Sequence, residues 1–469
     1  MRLAQEVTPK NSCTAVIRVM MKTIRWDLTA INRAKAPLCD PGQPAVCRRK
    51  PIPQSHHLFP ANLSKIVWIV LLLLSLSACQ IAGSDDDLSG RVTLWHKWSP
   101  EEAVVLDEAL AEFQVIHPDA RVATVALPED EILDEFIDAG NDGLGPGMLL
   151  ADDAWIGDLV EKGLIRPLSP DESVGSFYDS RNRTLVQYGG QLYGIPLSLA
   201  PAALYYNTAL VDTLPENLDG LLQEAEDGKP VGFVPRFEEA YWGIQAFGEG
   251  LFDSDGHFQP AESGFLDWLA WLHQAQSESG VVLSVDDQSL RELFASGELA
   301  YYIAGPQERD LIQALVDEEN PLDFAVAPLP EGPAGAAGPL PNAETILLYA
   351  YDSPQQARIA DALALFLVNQ QQSIRFMREL KRVPANPAVR VDRRIYPRVS
   401  GFAQQARSAV AIPNEIPANT LKEAGDLAYA SVLSDLSTPA EALCQFSLDV
   451  AASLGPQAGD VQLPDGCES

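Results

Sequence analysis

The residue whose spacing most directly predicts covalent chemistry is Cys79. It follows the apolar run Ile66–Leu76 and the small residues Ser77 and Ala78, and Lys65 precedes the run. A cysteine directly after such a run and a small-residue cleavage site is typical of a lipoprotein signal sequence. A transmembrane helix would need about 20 apolar residues, and this run is shorter. We therefore expect lipidation of Cys79 and an extracytoplasmic location, anchored to the cell membrane.

The segments around this signal are not expected to fold. Residues 1–60 are basic and hold three cysteines, and we interpret them as an over-extended or unstructured N-terminus with the true start near Leu63. Residues 61–79 form the signal peptide. Residues 80–90 contain glycine, serine and three consecutive aspartates, a composition typical of a flexible tether. Folded structure is expected from Arg91 onwards.

The charge of the exported chain limits its partners. The full sequence has 33 basic and 65 acidic residues, and removing residues 1–79 leaves 22 against 62, a net charge of about −40. Nucleic acids and anionic headgroups both bind basic surfaces, so we expect no nucleic-acid partner. Cys444 and Cys467 remain beside Cys79, and an oxidising compartment would allow them to form a disulfide that pins a C-terminal tail, residues 456–469.

Motifs that would indicate an enzyme are missing from the sequence. It contains no Gly-x-Ser-x-Gly, His-Glu-x-x-His, P-loop or Cys-x-x-Cys, and its histidines share no metal-ligand spacing. Asp253–Gly256 resembles the start of a calcium loop, but the twelfth position is Gly264 instead of glutamate, which favours a hairpin turn. We expect no enzymatic activity, no metal and no cofactor, although no pattern excludes a carboxylate pair for glycoside hydrolysis.

The hydrophobic pattern predicts alternating strands and helices. Arg91–Leu94 reads as a strand, Ser99 and Pro100 begin an amphipathic helix, and Arg121–Ala126 reads as a second strand. Met148–Ala151 repeats the pattern as a short buried strand before a further helix. This alternation predicts an α/β fold with a mostly parallel sheet, whose ligands gather at the carboxyl ends of the strands. About 380 residues of globular composition indicate two domains.

Five sequence blocks, in order, resemble the family 1 extracellular solute-binding proteins of ABC transporters, the group that includes the maltose-binding protein. The most specific is Leu293–Pro306, which contains the run Ser-Gly-Glu-Leu and closes on Gly-Pro. The other blocks are Val92–Trp98, Met148–Pro170, Tyr188–Asn207 and Ala411–Pro417. The resemblance covers essentially all of residues 91–455.

This resemblance implies a two-lobed, type II periplasmic-binding-protein-like fold with a ligand cleft between hinge-connected lobes. By analogy, residues 91–198 and 343–395 form the N-terminal lobe. Residues 203–338 and 400–455 form the C-terminal lobe. The implied crossings are Leu197–Ala202 and the Gly- and Pro-rich segment Gly332–Pro341. The implied function is an ABC importer component that captures a small solute, a sugar or oligosaccharide by preference, and delivers it to permease subunits as a monomer.

The solute is harder to predict, because two tryptophan positions of the maltodextrin branch carry Gln307 and Ala151 here. Aromatic rings stack on the apolar faces of sugars while polar groups bind the hydroxyls. For three residues a structural role is the alternative to ligand binding. Trp95 and Trp155 would then pack in the core, and Asp153 would cap the helix that follows it. The predicted ligand-binding residues are His96, Trp98, Asp153, Trp155, Ser198, Tyr241, Trp242, Gln307 and Asn414. A ligand sensor without a transporter, or a degenerate binding scaffold, remains the alternative.

Overall fold

The computed structural model describes residues 88–168, 180–316, 321–454 and 461–467. The chain divides into two compact units, residues 1–82 and 83–469, and every described residue belongs to the second. The predicted lipidation site Cys79 and tether residues 80–87 lie outside the described residues. Within those residues, no helix has both the length and the apolar character needed to cross a membrane.

The first lobe is built on a six-stranded sheet, and all elements are labelled in chain order. Its strands are β1 (Gly90–His96), β2 (Ala120–Ala126), β3 (Met148–Asp152), β6 (Ile195–Leu199), β12 (Glu344–Leu348) and β13 (Val383–Pro384), in the order β13-β6-β12-β3-β1-β2. A small hairpin of β4 (Gln187–Tyr188) and β5 (Gln191–Leu192) is separate. The helices are α1 (Pro100–Ile116), α2 (Ile132–Asn141), α3 (Ile156–Glu161), α4 (Ser180–Val186), α11 (Pro354–Leu367) and α12 (Gln370–Leu380).

Alternating side chains on the central strands fill a core on each face of this sheet. On β3, Met148 and Leu150 join the cluster that packs under α1 and α11. Leu149 and Ala151 point the other way and join the cluster that includes residues of α2 and α3. Successive side chains of a strand point to opposite faces, so a run of apolar residues is needed where both faces are covered. The four apolar residues of β3 are therefore buried, and its last residue, Asp152, is polar and only partly buried.

The predicted start of α1 is confirmed. Ser99 caps the helix by accepting a hydrogen bond from the Glu102 backbone N–H at 3.2 Å, and the Glu102 side chain accepts one from the Ser99 backbone N–H at 3.1 Å. Pro100 occupies the first turn, where its missing N–H costs nothing. This reciprocal capping box fixes the position of the Glu102 carboxylate beside the cleft.

The second lobe is built on a five-stranded sheet in the order β11-β7-β10-β8-β9. Its strands are β7 (Ala203–Asn207), β8 (Val231–Phe233), β9 (Val281–Leu283), β10 (Tyr301–Ala304) and β11 (Phe324–Ala327). Its helices are α5 (Leu218–Glu226), α6 (Phe237–Ala240), α7 (Trp242–Phe247), α8 (Phe265–Ala275), α9 (Asp287–Ala295), α10 (Glu308–Leu315), α13 (Pro397–Gln405), α14 (Ala418–Leu433) and α15 (Pro439–Leu454).

Aromatic side chains dominate the core of this lobe. Trp268 is fully buried, stacks on Trp271 with ring centroids 5.1 Å apart, and donates its indole N–H to the Tyr429 hydroxyl at 2.8 Å. Trp242 packs on the same ring at 4.6 Å. Large aromatic rings bury more apolar area than any other side chains, so this cluster stabilises the packing of α7, α8 and α14.

Both sheets are mixed, so the prediction of a mostly parallel sheet was wrong. In the first sheet β1 pairs parallel with β2 and β3, but β12 pairs antiparallel with β3 and β6. The reason is connectivity, because β12 follows a crossing from the second lobe. It therefore enters the sheet at the edge where β3 ends, with Glu344 opposite Asp152.

The connections between the two sheets run side by side. The first is Leu199–Ala203, and its Ala200 N–H donates to the Pro341 carbonyl of the second at 2.8 Å. The predicted second crossing began too early. Gly338 donates to the Trp242 carbonyl at 3.0 Å and Gly332 lies against Ala246, so this glycine-rich part still packs on the second lobe.

The C-terminal segment is joined to α15 by a disulfide. In the structure Cys444 and Cys467 are bonded, with their Cα atoms 5.4 Å apart. This separation lies within the range that a disulfide spans without backbone movement.

Candidate functional site

A cleft of about 760 Å³ lies between the two sheets. It is reached by the ends of β1 and β3 from the first lobe and by the end of β10 and the start of α10 from the second. The carboxyl ends of strands in α/β sheets are where ligands bind, as the sequence predicted. Ser198 of β6 also lines the cleft, together with Ala200 and Asn342 from the two neighbouring crossings.

A buried network centred on Arg382 organises one side of the first-lobe wall. The Arg382 guanidinium lies 4.2 Å above the Trp98 ring and forms ion pairs with Glu344 and with Glu102, the latter at 2.9 Å. The Trp98 indole N–H donates to the same Glu344 carboxylate. Phe376 packs edge-on against Trp98 with ring centroids 5.5 Å apart. Trp98 is only 3% exposed, so it supports this network more than it offers an open ring face.

The network sets the charge of Glu344 by opposing effects. Burial raises the pKa of the Glu344 carboxyl, while the Arg382 charge and the Trp98 hydrogen bond act to lower it. The net direction is upward, although the neighbouring cation limits the change. The Glu344 carboxylate is therefore held inside the wall by the Arg382 guanidinium and the Trp98 indole N–H, while the Arg382 Nε has no hydrogen-bond partner among the described residues.

A second charged group surrounds Lys97. Its ammonium forms ion pairs with Glu129 at 2.6 Å and with Asp152 at 3.0 Å, and it lies 5.8 Å from the centroid of the Trp155 ring. Burial alone lowers the pKa of Lys97, but the two carboxylates outweigh it and the net pKa is raised. Lys97 thus stays protonated and fixes Asp152 and Glu129 at the mouth of the cleft.

Trp155 gives the cleft its accessible aromatic surface. Among the aromatic rings that line the cleft in the described residues, Trp98 and Tyr302 are at most 3% exposed, whereas Trp155 is half-buried. It ends the 3₁₀ turn Asp153–Trp155, whose backbone leads directly from β3 into α3. A ring in this position can stack on an apolar face of a ligand while Lys97 and Asp152 bind polar groups beside it.

Asp153 ties this wall to the second crossing. One carboxylate oxygen accepts a hydrogen bond from the Ala343 N–H at 2.8 Å, and the Asp153 N–H donates to the Ala343 carbonyl at 3.0 Å. Burial raises the pKa of Asp153 to about 7. Asp152 does not cap the turn, because its side chain is held by Lys97 instead. The Asp152 carboxylate therefore faces the Lys97 ammonium and makes no capping hydrogen bond.

The second-lobe wall is polar and ion-paired. Arg291 forms two hydrogen bonds to Glu308, at 2.6 and 3.0 Å, and the Tyr302 hydroxyl donates to the same carboxylate at 3.3 Å. Lys422 pairs with Glu238 at 2.7 Å. Gln307 is exposed in the cleft. This wall offers hydrogen-bonding groups, but its aromatic ring, Tyr302, is 1% exposed.

Carboxylates outnumber cations around the whole cleft. The described lining residues include ten carboxylates and three cations. The carboxylates are Glu102, Glu129, Asp152, Asp153, Asp158, Glu238, Glu239, Asp287, Glu308 and Glu344, and the cations are Lys97, Arg382 and Lys422. An anionic solute would be repelled here, whereas neutral hydroxyl groups find many hydrogen-bond acceptors.

The family model for bacterial extracellular solute-binding proteins matches residues 108–394. This protein belongs to that family. The resemblance found in the sequence is thereby confirmed, and the family places the protein outside the cytoplasm as a binding protein.

Relatives and solved structures agree with this assignment. The galactooligosaccharide-binding protein of Bacillus subtilis (strain 168) is 24% identical over 398 residues, which cover 79% of this chain and 92% of that protein. The maltotriose-binding protein of Pyrococcus abyssi (strain GE5 / Orsay) is 26% identical over 266 residues, 52% of this chain and 54% of that protein.

The crystal structure of a cyclo/maltodextrin-binding protein complexed with maltotetraose superimposes with a TM-score of 0.70 at 23% identity, covering 81% of this chain and 100% of the other. A cyclic alpha-maltosyl-1,6-maltose binding protein from Arthrobacter globiformis superimposes with a TM-score of 0.68 at 17% identity, covering 78% and 99%. These structures confirm the two-lobed, type II fold of this solute-binding protein.

Several residues predicted from the sequence do line the cleft. They are Trp98, Asp153, Trp155, Ser198 and Gln307. Their contact with a ligand stays a prediction. His96 is 2% exposed and is not part of the lining, and its Nδ1 accepts a hydrogen bond from the Trp98 N–H at 3.2 Å. Burial lowers the pKa of His96 despite the nearby carboxylates of Asp107 and Glu102. His96 therefore shapes the loop that carries Lys97 and Trp98.

The placement of Tyr241 and Trp242 in the binding site was wrong. Both lie in the second-lobe core, at 1% and 0% exposure. Tyr241 packs edge-on against Phe237 at 5.3 Å, and Trp242 packs against Phe233 and Trp268. The physical reason is that they join two short helices whose inner sides cover the sheet. Trp268 and Trp271, on α8, are buried in the same core.

Asn414 also lies outside the main cleft. Its side-chain amide donates to the Leu185 and Gln187 carbonyls at 2.9 and 3.1 Å, which joins the segment before α14 to the first lobe. It lines a small recess of about 70 Å³ instead. This recess shares lining residues with the cleft, among them Asp153, Glu238 and Lys422, so contact of Asn414 with a ligand stays a prediction.

Sequence reasoning missed the charged residues that organise the walls. Lys97, Glu344, Arg382, Glu308 and Lys422 all line the cleft. One signal was available for Glu344, which opens the strand Glu344–Leu348, whose last three residues are apolar. Arg382 carried no such signal, because Glu102, its partner across the wall, is 280 residues away in the chain.

The turn at Asp253 fits the predicted hairpin. Phe252 and Phe258 form an antiparallel bridge across it, and the Asp253 carboxylate accepts hydrogen bonds from the Asp255 and His257 N–H groups, both at 2.8 Å. Asp253, Asp255 and His257 lie close enough to hold an ion, but two of the three are exposed and these hydrogen bonds explain the geometry.

Proposed function

We propose that this protein captures an oligosaccharide between its two lobes and delivers it to the permease of an ABC importer. The observation that carries the proposal is the position of the half-buried Trp155 ring beside the fixed Lys97–Asp152 pair in the cleft. Relatives whose names specify galactooligosaccharides and maltotriose support a sugar as the solute class.

The chemistry of the cleft suits a sugar. A pyranose presents an apolar face to an aromatic ring and hydroxyl groups at its edge, so it needs both kinds of contact in one place. The carboxylates of Asp152, Glu129 and Glu308 are each paired with a cation, and each retains oxygen lone pairs for hydroxyl donors. Paired charges keep their positions when water leaves the cleft, and no charge on the solute is required.

Binding would proceed by closure of the lobes about the neighbouring crossings. We take the first lobe as residues 91–198 with 343–395, and the second as 203–338 with 400–455. A solute favours the closed state only if it contacts both walls better there than in the open state. No covalent step is needed, so we infer that the protein has no enzymatic activity.

We further propose that the protein is a monomer held at the membrane by a lipid on Cys79. The proposal depends on the small-residue cleavage site after the apolar run Ile66–Leu76. Mass spectrometry of the protein purified from membranes would test it. We expect a diacylglyceryl-modified Cys79 as the first residue, and an unmodified, uncleaved chain would contradict the lipid anchor.

A thermal-shift screen tests the solute class. The full chain would be heated with galactooligosaccharides, maltotriose, amino acids and polyamines. A ligand that binds only the folded state stabilises it by roughly 2.7 kcal/mol at a hundredfold excess over Kd. We expect an upward shift of the melting temperature with at least one oligosaccharide. If no sugar raises the melting temperature of the folded protein, the proposal is contradicted. If amino acids alone raise it, the solute is an amino acid instead of a sugar.

A further inference from the structure

A second cavity, of about 720 Å³, lies behind the crossings and is called the rear cavity here. Its first-lobe wall is the segment Val383–Val391 with part of α4, and its second-lobe wall is the segment from Ser400 to Ala411. The rear cavity is therefore bounded by both lobes, as the solute cleft is, and is nearly equal to it in volume.

The rear cavity and the cleft lie on opposite faces of the crossings. Ser198 and Ala200 line the cleft, whereas Leu199 between them lines the rear cavity. The second crossing repeats this alternation, since Asn342 lines the cleft while Pro341 borders the rear cavity. Successive side chains of an extended segment point to opposite sides. A rotation of the lobes about an axis along these crossings that narrows the cleft would therefore widen the rear cavity.

The charge of the rear cavity is opposite to that of the cleft. Its lining contains two arginines, Arg390 from the first lobe and Arg407 from the second, and one carboxylate, Asp253. Within the described part of the chain, neither guanidinium has a carboxylate within ion-pair distance. The Asp253 carboxylate is engaged by the His257 ring at 3.0 Å. Both guanidiniums are exposed, and they line the same cavity from facing lobes.

We propose that the rear cavity binds a small polyanion whose carboxylate or phosphate groups bridge Arg390 and Arg407. Arginine is suited to this task because its planar guanidinium binds carboxylate and phosphate through two parallel hydrogen bonds. The cavity is large enough for a molecule of several such groups. A bridge between the two lobes at this position opposes widening of the rear cavity, and so it opposes closure of the cleft.

Direct anion binding would be measured by isothermal titration of the full chain with citrate, and separately with inorganic phosphate, at constant ionic strength. We expect saturable one-to-one binding of at least one of them, weakened roughly tenfold or more in Arg390→Gln/Arg407→Gln because two charge-assisted contacts are lost. The preferred anion distinguishes a carboxylate from a phosphate ligand. The matched control is Arg393→Gln/Arg394→Gln, which removes the same charge from exposed neighbours outside the cavity lining.

Two results would overturn the proposal. One is the absence of saturable binding of either anion to the folded wild-type protein. The other is an equal loss of binding in the control variant, which would indicate diffuse attraction to the basic segment. Both double variants should keep the melting temperature of the wild type without added anion, since these side chains are exposed.

The coupling to solute binding rests on the proposed function and is tested separately. The bound anion should raise the Kd for the oligosaccharide found by the thermal-shift screen, and by linkage the sugar should raise the Kd of the anion by the same factor. Arg390→Gln/Arg407→Gln should bind the sugar with the wild-type Kd, and this Kd should not change when the anion is added. Anion binding without this reciprocity would overturn the coupling, and loss of sugar binding by every form would overturn the proposed function instead.

Discussion

The two walls of the cleft are built differently. The first-lobe wall combines the accessible Trp155 ring with two fixed charge groups, one around Lys97 and one around Arg382. The second-lobe wall has ion pairs and the exposed Gln307, while its tyrosine ring is buried. The first wall therefore provides both stacking and hydrogen bonding, and the second provides hydrogen bonding alone.

This difference suggests that the two walls contribute unequally to solute binding. Contacts on the first wall hold one another in place through hydrogen bonds and ion pairs, as between Trp98 and Glu344, which are 246 positions apart in the chain. We expect these contacts to form on folding, before a solute arrives. Preorganised groups bind without first being ordered, which lowers the cost of association. We expect most of the binding energy from the first wall, and a smaller, closure-dependent part from the second.

The largest expected effect is on stability, from Arg382→Leu. Removing the cation leaves the buried Glu344 carboxylate without its partner, and breaking a buried pair in this way costs about 3–5 kcal/mol. The free energy of unfolding from urea denaturation measures this change. Arg382→Leu/Glu344→Gln should recover a large part of the loss, because the orphaned charge is removed. If the single variant loses under about 1 kcal/mol, the first wall does not depend on this network.

The next largest effect is on binding, from Trp155→Ala. Loss of an aromatic stacking surface should weaken oligosaccharide binding by about 1.5–3 kcal/mol, or roughly ten- to a hundredfold in Kd. Trp155→Phe keeps a ring and should lose far less, and Trp271→Phe, in the second-lobe core, should bind normally. Isothermal titration gives each Kd. Equal affinities of the wild type and Trp155→Ala for the oligosaccharide would show that the first wall does not bind the sugar by aromatic stacking.

A pH-dependent effect is expected at Asp153. Burial raises its pKa in the folded protein from 3.8 to about 7, so the folded state holds a proton that the unfolded state releases. The contribution of Asp153 to stability is therefore full below its unfolded pKa and is lost as the pH rises through about 7.

Asp153→Asn removes this titration and keeps an oxygen to accept from the Ala343 N–H. We expect the variant to match the wild type near pH 4 and to exceed it by about 1–3 kcal/mol at pH 8, as measured by urea unfolding at both values. A difference that does not change with pH would show that burial does not raise the pKa of Asp153.

The smallest effects belong to the second lobe. Gln307→Ala should weaken sugar binding by about 0.5–1.5 kcal/mol, the value of one hydrogen bond. Tyr241→Phe should leave binding unchanged, because its ring is in the core and its buried hydroxyl has no hydrogen-bond partner among the described residues. Isothermal titration of both variants with the oligosaccharide gives the two Kd values to compare. A larger loss from Tyr241→Phe than from Gln307→Ala would return Tyr241 to the site and contradict the structure.

Local sequence signals predicted the elements that lead into the first wall. The apolar run at β3 and the Ser99–Pro100 helix start each depend on residues close together in the chain, so propensity and capping were sufficient. Tyr241 and Trp242 show the limit of such signals. Two adjacent aromatic residues in a short helical stretch do not reveal which side of that stretch faces the sheet.

Features that depend on contacts between distant parts of the chain could not be predicted from the sequence. The antiparallel entry of β12 depends on a crossing between lobes, which no local pattern encodes. The Arg382 network joins α1, β12 and the segment after α12, and its partners are brought together only by the packed fold. The resemblance to the family indicated where a cleft would be, but not which charges line it.

The central claim is that one sugar is held between two unlike walls. Hydrogen-exchange mass spectrometry of the full chain, with and without the oligosaccharide selected by the thermal-shift screen, tests it most directly. We predict slower exchange in two separate regions, around residues 152–158 of the first wall and 302–308 of the second. Slower exchange in the first region alone, or in neither, would contradict capture between the lobes.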